Sequence, residues 1–249
     1  MNYTTISIKV KELISSIESL CATLNRPAPK IIAVSKLKSV EDIIAAYDAG
    51  LRTFGENYVN ELHQKATNPE LLSKCPHLSW HFIGHLQSNK INKLLKVPNL
   101  VCIETVDSLK LADELHSKVQ QLDDNSQLKK PLPIFVQLNI NNEANKSGLS
   151  LDHDYFLEVC SHIIQNCKTL DLSGLMTIGS LQSSLAEDSS MSSNPDFVAL
   201  SRCRDRLASL LERNSCDFEL SMGMSNDYEC AIRCGSTNVR IGSHIFGVR

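Results

Sequence analysis

The stretch Ile31-Ile-Ala-Val-Ser-Lys36 decides the fold, because it has the composition of a buried strand and ends in a lysine. Its first four residues are apolar and three of these are β-branched, which favours a strand that is covered on both faces of a parallel sheet. Lys36 would then lie at the carboxyl end of the strand. A desolvated lysine has a lowered pKa and becomes a nucleophile toward carbonyl groups. The alternative is a lysine whose ammonium group simply reaches solvent.

Seven more short apolar runs follow along the chain, and amphipathic stretches separate them. These further predicted strands are Arg52–Asn57, Trp80–Gly84, Leu100–Glu104, Pro133–Asn139, Leu172–Met176, Phe218–Ser221 and Val239–Gly242. The clearest predicted helices between them are Val40–Ala49, closed by Gly50, and Leu109–Leu122, Tyr155–Cys167 and Phe197–Arg213. Strands that alternate with helices over 249 residues predict an α/β fold, a single (β/α)8 TIM barrel domain over residues 1–249. An open doubly wound sheet has the same pattern and stays possible.

Residues 1–29 precede the first strand and predict an extra helix. Ile6, Val10, Leu13 and Ile17 recur at helical spacing, and charged residues interrupt them. This pattern is typical of an amphipathic helix that covers a core, and differs from the uninterrupted apolar region of a signal peptide. We therefore expect a cytoplasmic protein.

Charge, hydropathy and cysteine content argue against several classes of protein. Lys and Arg number 25 against 28 Asp and Glu, for a net charge of −3, and no long basic stripe is present, so nucleic acid is not expected as a partner. Hydrophobic residues make up 42% of the chain, as in an ordinary soluble globule, and no membrane partner is expected. The nine cysteines are scattered without C-x-x-C spacing, which predicts reduced thiols and no metal site.

In a barrel of this kind, functional side chains gather at the carboxyl ends of the strands. The residues that the sequence places there are Lys36, Asn57, His81, Gly84, Met176, Ser221 to Ser225, and Arg240 to Ser243. A long loop over residues 180–196, rich in Ser, follows the sixth strand and is either a flap over this end or disordered.

Two turns among these residues have the composition of a phosphate cradle. Ser221-Met-Gly-Met-Ser225 precedes a short predicted helix, and Gly242-Ser243 likewise combines a glycine with a serine after the last strand. Neighbouring seventh and eighth strands form the usual phosphate site of such barrels. The alternative for the first turn is a plain helix cap by Ser225 or Asn226. Arg240 needs an acceptor in the barrel mouth or a carboxylate across it.

With these residues in place, the chain resembles the pyridoxal phosphate (PLP) homeostasis proteins, which are related to the N-terminal barrel of alanine racemase. The matching segments are Ala33–Lys36, Phe54–Asn57, Trp80–Gln87, Lys146–Gly148, Gly174–Thr177, Leu220–Ser225 and Val239–Gly242. The resemblance implies that Lys36 carries PLP as a covalent aldimine. It further implies that Ser225, Gly242 and Ser243 hold the phosphate, that Ser221 supports the loop, and that Arg240 faces the pyridine nitrogen.

The resemblance assigns weaker roles to four more residues. Asn57 and His81 would lie near the cofactor ring, although each could equally be a core polar group satisfied by the backbone. Met176 would pack on the ring face or simply fill the core. Lys146 matches a lysine proposed as a secondary cofactor contact, but we expect it in a solvated loop.

The family resemblance predicts carriage of the cofactor rather than catalysis. Racemases add a β domain that supplies a tyrosine base, and the sequence shows no matching region, so we expect a monomer that binds PLP and delivers it to apo forms of PLP-dependent enzymes. One alternative is a PLP-dependent amino-acid racemase, with Tyr58, His81 or water as its second base. Another is a cofactor-free class I aldolase that uses Lys36 on a carbonyl substrate, but that alternative leaves Arg240 unexplained.

Overall fold

The computed structural model describes residues 2–122, 128–143, 146–151, 155–180 and 194–247. Its strands are β1 (Lys30–Val34), β2 (Thr53–Glu56), β3 (Ser79–Phe82), β4 (Leu100–Val106), β5 (Leu132–Asn139), β6 (Leu149–Ser150), β7 (Leu170–Thr177), β8 (Glu219–Ser221) and β9 (Asn238–Ile241). Its α-helices are α1 (Tyr3–Thr23), α2 (Val40–Asp48), α3 (Val59–Ala66), α4 (Pro69–Lys74), α5 (Ile91–Leu94), α6 (Leu109–Gln120), α7 (Tyr155–Asn166), α8 (Pro195–Leu210), α9 (Tyr228–Arg233) and α10 (Ser243–Phe246).

The strands close into a parallel barrel. The order in the sheet is β4-β3-β2-β1-β9-β8-β7-β5, and a further pairing of β4 with β5 joins its two ends. The two-residue strand β6 pairs only with the carboxyl end of β5, through Leu138 and Asn139. The prediction of a (β/α)8 barrel is therefore confirmed, and the open-sheet alternative is wrong.

The predicted helices form where their capping residues place them. Ser39 accepts a hydrogen bond from the backbone N–H of Asp42 at 3.2 Å and starts α2. Gly50 adopts a φ of +118° directly after that helix, a conformation that suits glycine. Helix α8 begins two residues earlier than predicted, because the side chain of Asn194 caps it by accepting from the N–H of Asp196 at 2.9 Å.

The extra N-terminal helix is present and covers the barrel with one face. Helix α1 buries Ile6, Val10, Leu13, Ile17 and Cys21, as the helical spacing of its apolar residues predicts. None of the helices in the described ranges is both long enough and apolar enough to cross a membrane. All nine cysteines are free thiols, in keeping with the scattered spacing.

The apolar core has two parts, and the smaller one lies inside the barrel. The larger cluster fills the layer between the strands and the surrounding helices. The smaller cluster consists of Cys102, Phe135 and Met176, which come from three neighbouring strands. Side chains two apart on a strand point to the same face, so Glu104 shares the inner face with Cys102. The barrel interior therefore holds polar groups above a small apolar plug.

The loop predicted over residues 180–196 falls largely on residues 181–193, which lie outside the described part of the chain. Its two ends are joined, because the backbone N–H of Ser180 donates to Oδ2 of Asp196 at 2.8 Å. Asp196 is almost fully buried. Ser180 and Asp196 therefore lie together near the carboxyl end of β7.

Candidate cofactor site

Lys36 lies in the turn that follows β1, half-buried at the carboxyl end of the barrel. Strand β1 pairs with β2 on one side and with β9 on the other. Asn57 follows β2 directly, and Gly242 follows β9 directly. The structure thus places Lys36, Asn57 and Gly242 at three adjacent strand ends, as predicted.

Arg240 points into the barrel interior and is 5% exposed. Its Nη1 donates to Oγ of Ser221 at 2.7 Å, and its Nη2 donates to the backbone carbonyl of Thr177 at 2.8 Å. Burial lowers the pKa of Arg240, while the charges of Glu104 and Asp227 act in the opposite direction. A guanidinium keeps its proton in proteins, so a fixed positive charge lies beneath the mouth. The prediction that Arg240 meets an acceptor there is right.

Glu104 on β4 is the carboxylate that balances this charge. Its Oε2 accepts from Oγ of Ser221 at 2.6 Å, and its Oε1 lies 2.5 Å from Nδ1 of His81. Burial alone would raise the pKa of Glu104, but the hydrogen bond and charge of His81, the charge of Arg240 and the hydrogen bond of Ser221 outweigh it and hold that pKa below its ordinary value. Glu104 is therefore a buried carboxylate, held ionised by its neighbours.

His81, Glu104, Ser221 and Arg240 together form what we call the buried polar chain. Sequence reasoning missed Glu104, although a charged residue two positions after Cys102 on an apolar strand was a usable signal. It also gave Ser221 a different task, support of the following loop. The hydroxyl of Ser221 instead bridges Glu104 and Arg240 inside the barrel.

His81 and Met176 both lie in the barrel interior. His81 is 3% exposed, and the partner of its ring is the Glu104 side chain rather than the backbone. Met176 is fully buried and packs in the small cluster with Cys102 and Phe135. Their contact with a cofactor ring remains a prediction, and in the protein alone both are core residues.

Ser225 joins the two predicted phosphate turns. Its Oγ accepts from the backbone N–H groups of Gly242 and His244, each at 3.3 Å. The helix-cap alternative for Ser225 is wrong, because Asp227 occupies the cap position of α9. Oδ1 of Asp227 also accepts from the N–H of Met224 at 2.6 Å and fixes the turn. Backbone amides and a hydroxyl are thus gathered beside Lys36, the donor set that an anion requires.

Two glycines in these turns serve different purposes. Gly223 has a φ of +94°, and an added Cβ would lie 2.5 Å from Cβ of Ala231, so the turn itself requires glycine. At Gly242 an added Cβ would meet only Val34, at 3.5 Å, which is ordinary contact. Packing of the protein does not demand a glycine at position 242. The position instead leaves room for a ligand beside the backbone.

The residues present fit a phosphorylated aromatic aldehyde such as PLP. Besides the amine and the anion cradle, Oδ1 of Asn57 is buried and has no hydrogen-bond partner among the described residues. The backbone of Asn57 is held closely, since an added Cβ on Gly84 would lie 2.0 Å from its carbonyl oxygen. An acceptor fixed in this way, with no partner of its own, suits a ligand that carries a hydroxyl donor.

Two further predicted residues lie at the margin of the site. Ser243, the first residue of α10, is exposed. Lys146 is not solvated as expected: its Nζ donates to Oε1 of Glu143 at 2.7 Å and to the carbonyl of Gly179 at 3.0 Å. Lys146 thereby ties the loop after β5 to the end of β7.

Comparison with known proteins agrees with this arrangement. The family model described as alanine racemase, N-terminal domain, matches residues 8–249. The pyridoxal phosphate homeostasis protein of Homo sapiens is 48% identical over 221 residues, which cover 89% of this chain and 77% of that protein. PipY of Synechococcus elongatus PCC7942, solved with PLP bound, has a TM-score of 0.76 and 29% identity and covers 97% of this chain and 100% of its own.

Likeness to the racemases is a likeness of fold. Alanine racemase from Bartonella henselae, solved with covalently bound pyridoxal phosphate, has a TM-score of 0.67 at 16% identity. The match covers 100% of this chain but 60% of the racemase chain. On the evidence of the barrel, its family model and its relatives, the chain belongs to the pyridoxal phosphate homeostasis protein family.

Proposed function

We propose that this protein binds PLP at the carboxyl end of its barrel, holds it as a Schiff base on Lys36, and takes part in the homeostasis and delivery of the cofactor. The observation that carries the proposal is the position of the Lys36 turn beside the Ser225 and Gly242 turns, above the Arg240 guanidinium. The PLP-bound structure of PipY, a protein similar over nearly the whole chain, supports it.

The roles of the residues follow from their chemistry. The amine of Lys36 would supply the nitrogen of a C=N bond to the aldehyde of the cofactor, with release of one water. Ser225, Gly242 and Ser243 bind the phosphate. Arg240 faces the pyridine nitrogen of the cofactor, and Oδ1 of Asn57 is available to accept from a hydroxyl group of the cofactor. Bound PLP supplies an electron-withdrawing ring.

The buried polar chain argues against efficient catalysis. Arg240 does not pass a proton to the ring nitrogen, because a guanidinium keeps its own proton in proteins, and Ser221 holds the side chain in place. An unprotonated ring is a weaker electron sink. His81 is 3% exposed in the barrel interior, and its Nδ1 is engaged by Glu104, so only Nε2 of its ring could act as a second base. Tyr58, 54% exposed after β2, is the other candidate base, and its side chain makes no hydrogen bond with the described residues that would orient it.

An open mouth suits transfer of the cofactor. Leu37, Tyr58, Ile178 and Met224 each follow a barrel strand at its carboxyl end, and each is more than a third exposed. A site rimmed by exposed apolar side chains can pass its ligand to an acceptor protein. We propose that the acceptors are apo forms of PLP-dependent enzymes and that the carrier works as a cytoplasmic monomer.

The test measures turnover and transfer on the same preparation. PLP-loaded protein is incubated with single amino acids in deuterated water, and stereoinversion and α-deuteration are followed. In parallel it is mixed with an apo PLP-dependent enzyme, whose recovered activity reports transfer. We expect slow exchange, no efficient stereoinversion, and reactivation. Stereoinversion at a rate ordinary for an enzyme, of about 10 s⁻¹ or more, would instead support the racemase alternative.

A further inference from the structure

A cluster of hydrogen-bonded residues, three of them charged, lies against the Lys36 turn. Lys65 on α3 is 8% exposed, and its Nζ donates to the carbonyl of Ser35 at 2.7 Å, to Oε1 of Glu56 at 2.7 Å and to Oε1 of Glu61 at 2.6 Å. An ammonium group has three donors, so all of them are used. We call Ser35, Glu56, Glu61 and Lys65 the Lys65 cluster.

This cluster holds the chain on both sides of Lys36. Before the lysine, the backbone carbonyl of Ser35 accepts from Lys65, and the hydroxyl of Ser35 donates to Oε1 of Glu56 at 2.7 Å. After the lysine, the backbone N–H of Leu37 donates to Oε1 of Glu61 at 2.6 Å. The residue between the two anchors is the one proposed to carry the cofactor.

The hydrogen bond at Leu37 holds the backbone in an unfavourable conformation. Leu37 has a φ of +61°, in the left-handed region that branched and bulky side chains avoid. Its side chain is 62% exposed, so burial of the leucine gives little in return. Strained residues of this kind persist where surrounding contacts hold them, and they gather at functional sites. One such contact here is the hydrogen bond to Glu61, which Lys65 in turn orients.

The centre of the cluster is buried. Glu56 is fully buried, and its Oε2 has no hydrogen-bond partner among the described residues. Burial raises the pKa of Glu56, while the charge and hydrogen bond of Lys65 and the hydrogen bond of Ser35 act in the opposite direction. Replacing a buried ion pair by apolar contacts often leaves stability unchanged. The free-energy cost of burying these charges is therefore better explained by the geometry that the cluster imposes on the turn than by a gain in stability.

We propose that Lys65 and Glu61 are positioning residues that hold the turn of residues 35–37 so that the Lys36 amine is aimed at the cofactor aldehyde. The inference rests on the proposed function of Lys36. Lys65 and Glu61 themselves act on the backbone of Ser35 and Leu37. Their loss therefore slows the condensation at Lys36 without removing the phosphate turns on β8 and β9.

The test compares two ligands on four variants of the full chain. Protein freed of cofactor is mixed with PLP, and Schiff-base formation is followed by stopped-flow absorbance. Binding of pyridoxine 5′-phosphate, which has an alcohol in place of the aldehyde and cannot form a Schiff base, is measured by calorimetry. The variants are Lys65→Met and Glu61→Ala. Matched controls are Lys74→Met and Glu70→Ala, from an exposed pair of the same spacing at 2.9 Å.

We expect both cluster variants to form the Schiff base about 10- to 100-fold more slowly, the cost of misplacing a reacting group by up to an ångström. Their affinity for pyridoxine 5′-phosphate should stay within about twofold of the unsubstituted protein, since each hydrogen bond to phosphate is retained. The controls should match the unsubstituted protein in both measurements.

Three results would overturn the inference, and they are distinguishable. An unchanged condensation rate in either cluster variant shows that the turn does not need that residue. An equal loss of pyridoxine 5′-phosphate binding shows a general structural role. Absence of a Schiff base in the unsubstituted protein overturns the proposed function of Lys36, and the inference with it.

Discussion

Glu104→Gln is the substitution that tests the buried polar chain most directly. It removes the negative charge between His81 and Arg240 while keeping the size of the side chain. The glutamine can accept only through one oxygen, so one of the two contacts, at 2.5 Å to His81 or at 2.6 Å to Ser221, loses its acceptor. Removing one partner of a buried ion pair costs about 3–5 kcal/mol. We expect the lower end, about 3 kcal/mol, because one hydrogen bond survives.

The loss should depend on pH in a defined direction. The folded-state pKa of Glu104 lies below its ordinary value of 4.5, so its contribution is fully present above pH 4.5 and is lost as the pH falls through the folded-state pKa. The difference in unfolding free energy between the two proteins should therefore be largest near neutral pH and shrink in acid.

Urea unfolding followed by circular dichroism over a series of pH values measures this difference. Glu70→Gln is the control, because the Glu70–Lys74 pair is exposed and should contribute at most about 0.5 kcal/mol. A loss below about 1 kcal/mol at neutral pH, the size expected of a surface pair, would refute the account of the buried polar chain. So would a difference that stays constant down to acid pH.

Three further substitutions probe the cofactor site, and a fourth, Gly84→Ala, serves as the comparison for one of them. Arg240→Gln should keep the covalent adduct but change its visible spectrum, because the ring nitrogen loses a charged partner; an unchanged spectrum places Arg240 elsewhere. Gly242→Ala should leave the melting temperature nearly unchanged and weaken PLP binding. Gly84→Ala, whose added Cβ would lie 2.0 Å from the carbonyl oxygen of Asn57, should instead destabilise the fold by about 3 kcal/mol or more. Similar melting temperatures for the two variants would contradict this. Ser225→Ala should weaken binding of PLP by about tenfold, the value of one hydrogen bond to a charged group, but leave binding of unphosphorylated pyridoxal unchanged; equal losses would argue against a phosphate contact.

Much of the fold could be predicted because buried parallel strands leave a strong pattern. Ile31 to Val34 is a continuous apolar segment, and further short runs rich in apolar residues follow it with helices between them. Only the closure of the sheet into a barrel was left open by periodicity. Lys36 and Arg240 were also visible from sequence, since a charged side chain at or near the end of an apolar strand stands out. Gly50 and the buried face of α1 followed from capping and helical spacing.

The partners of these charges could not be predicted, because they depend on barrel geometry. Glu104 meets Ser221 across 117 positions of sequence, a contact that no local pattern encodes. The Lys65 cluster joins β1, β2 and α3, and from sequence Lys65 is one more lysine on an amphipathic helix. Lys146 was expected in solvent for a similar reason, since its acceptor Gly179 lies 33 positions away.

The central claim is that Lys36 carries the cofactor, and one measurement tests it most directly. A visible absorbance spectrum of the purified protein is recorded with added PLP, before and after borohydride reduction, and the reduced adduct is located by peptide mass spectrometry, with Lys36→Ala treated in the same way. We predict a yellow species whose colour borohydride removes, a pyridoxyl group on the peptide containing Lys36, and neither in Lys36→Ala. An adduct on another lysine, or a protein that stays colourless with added PLP, would contradict the claim.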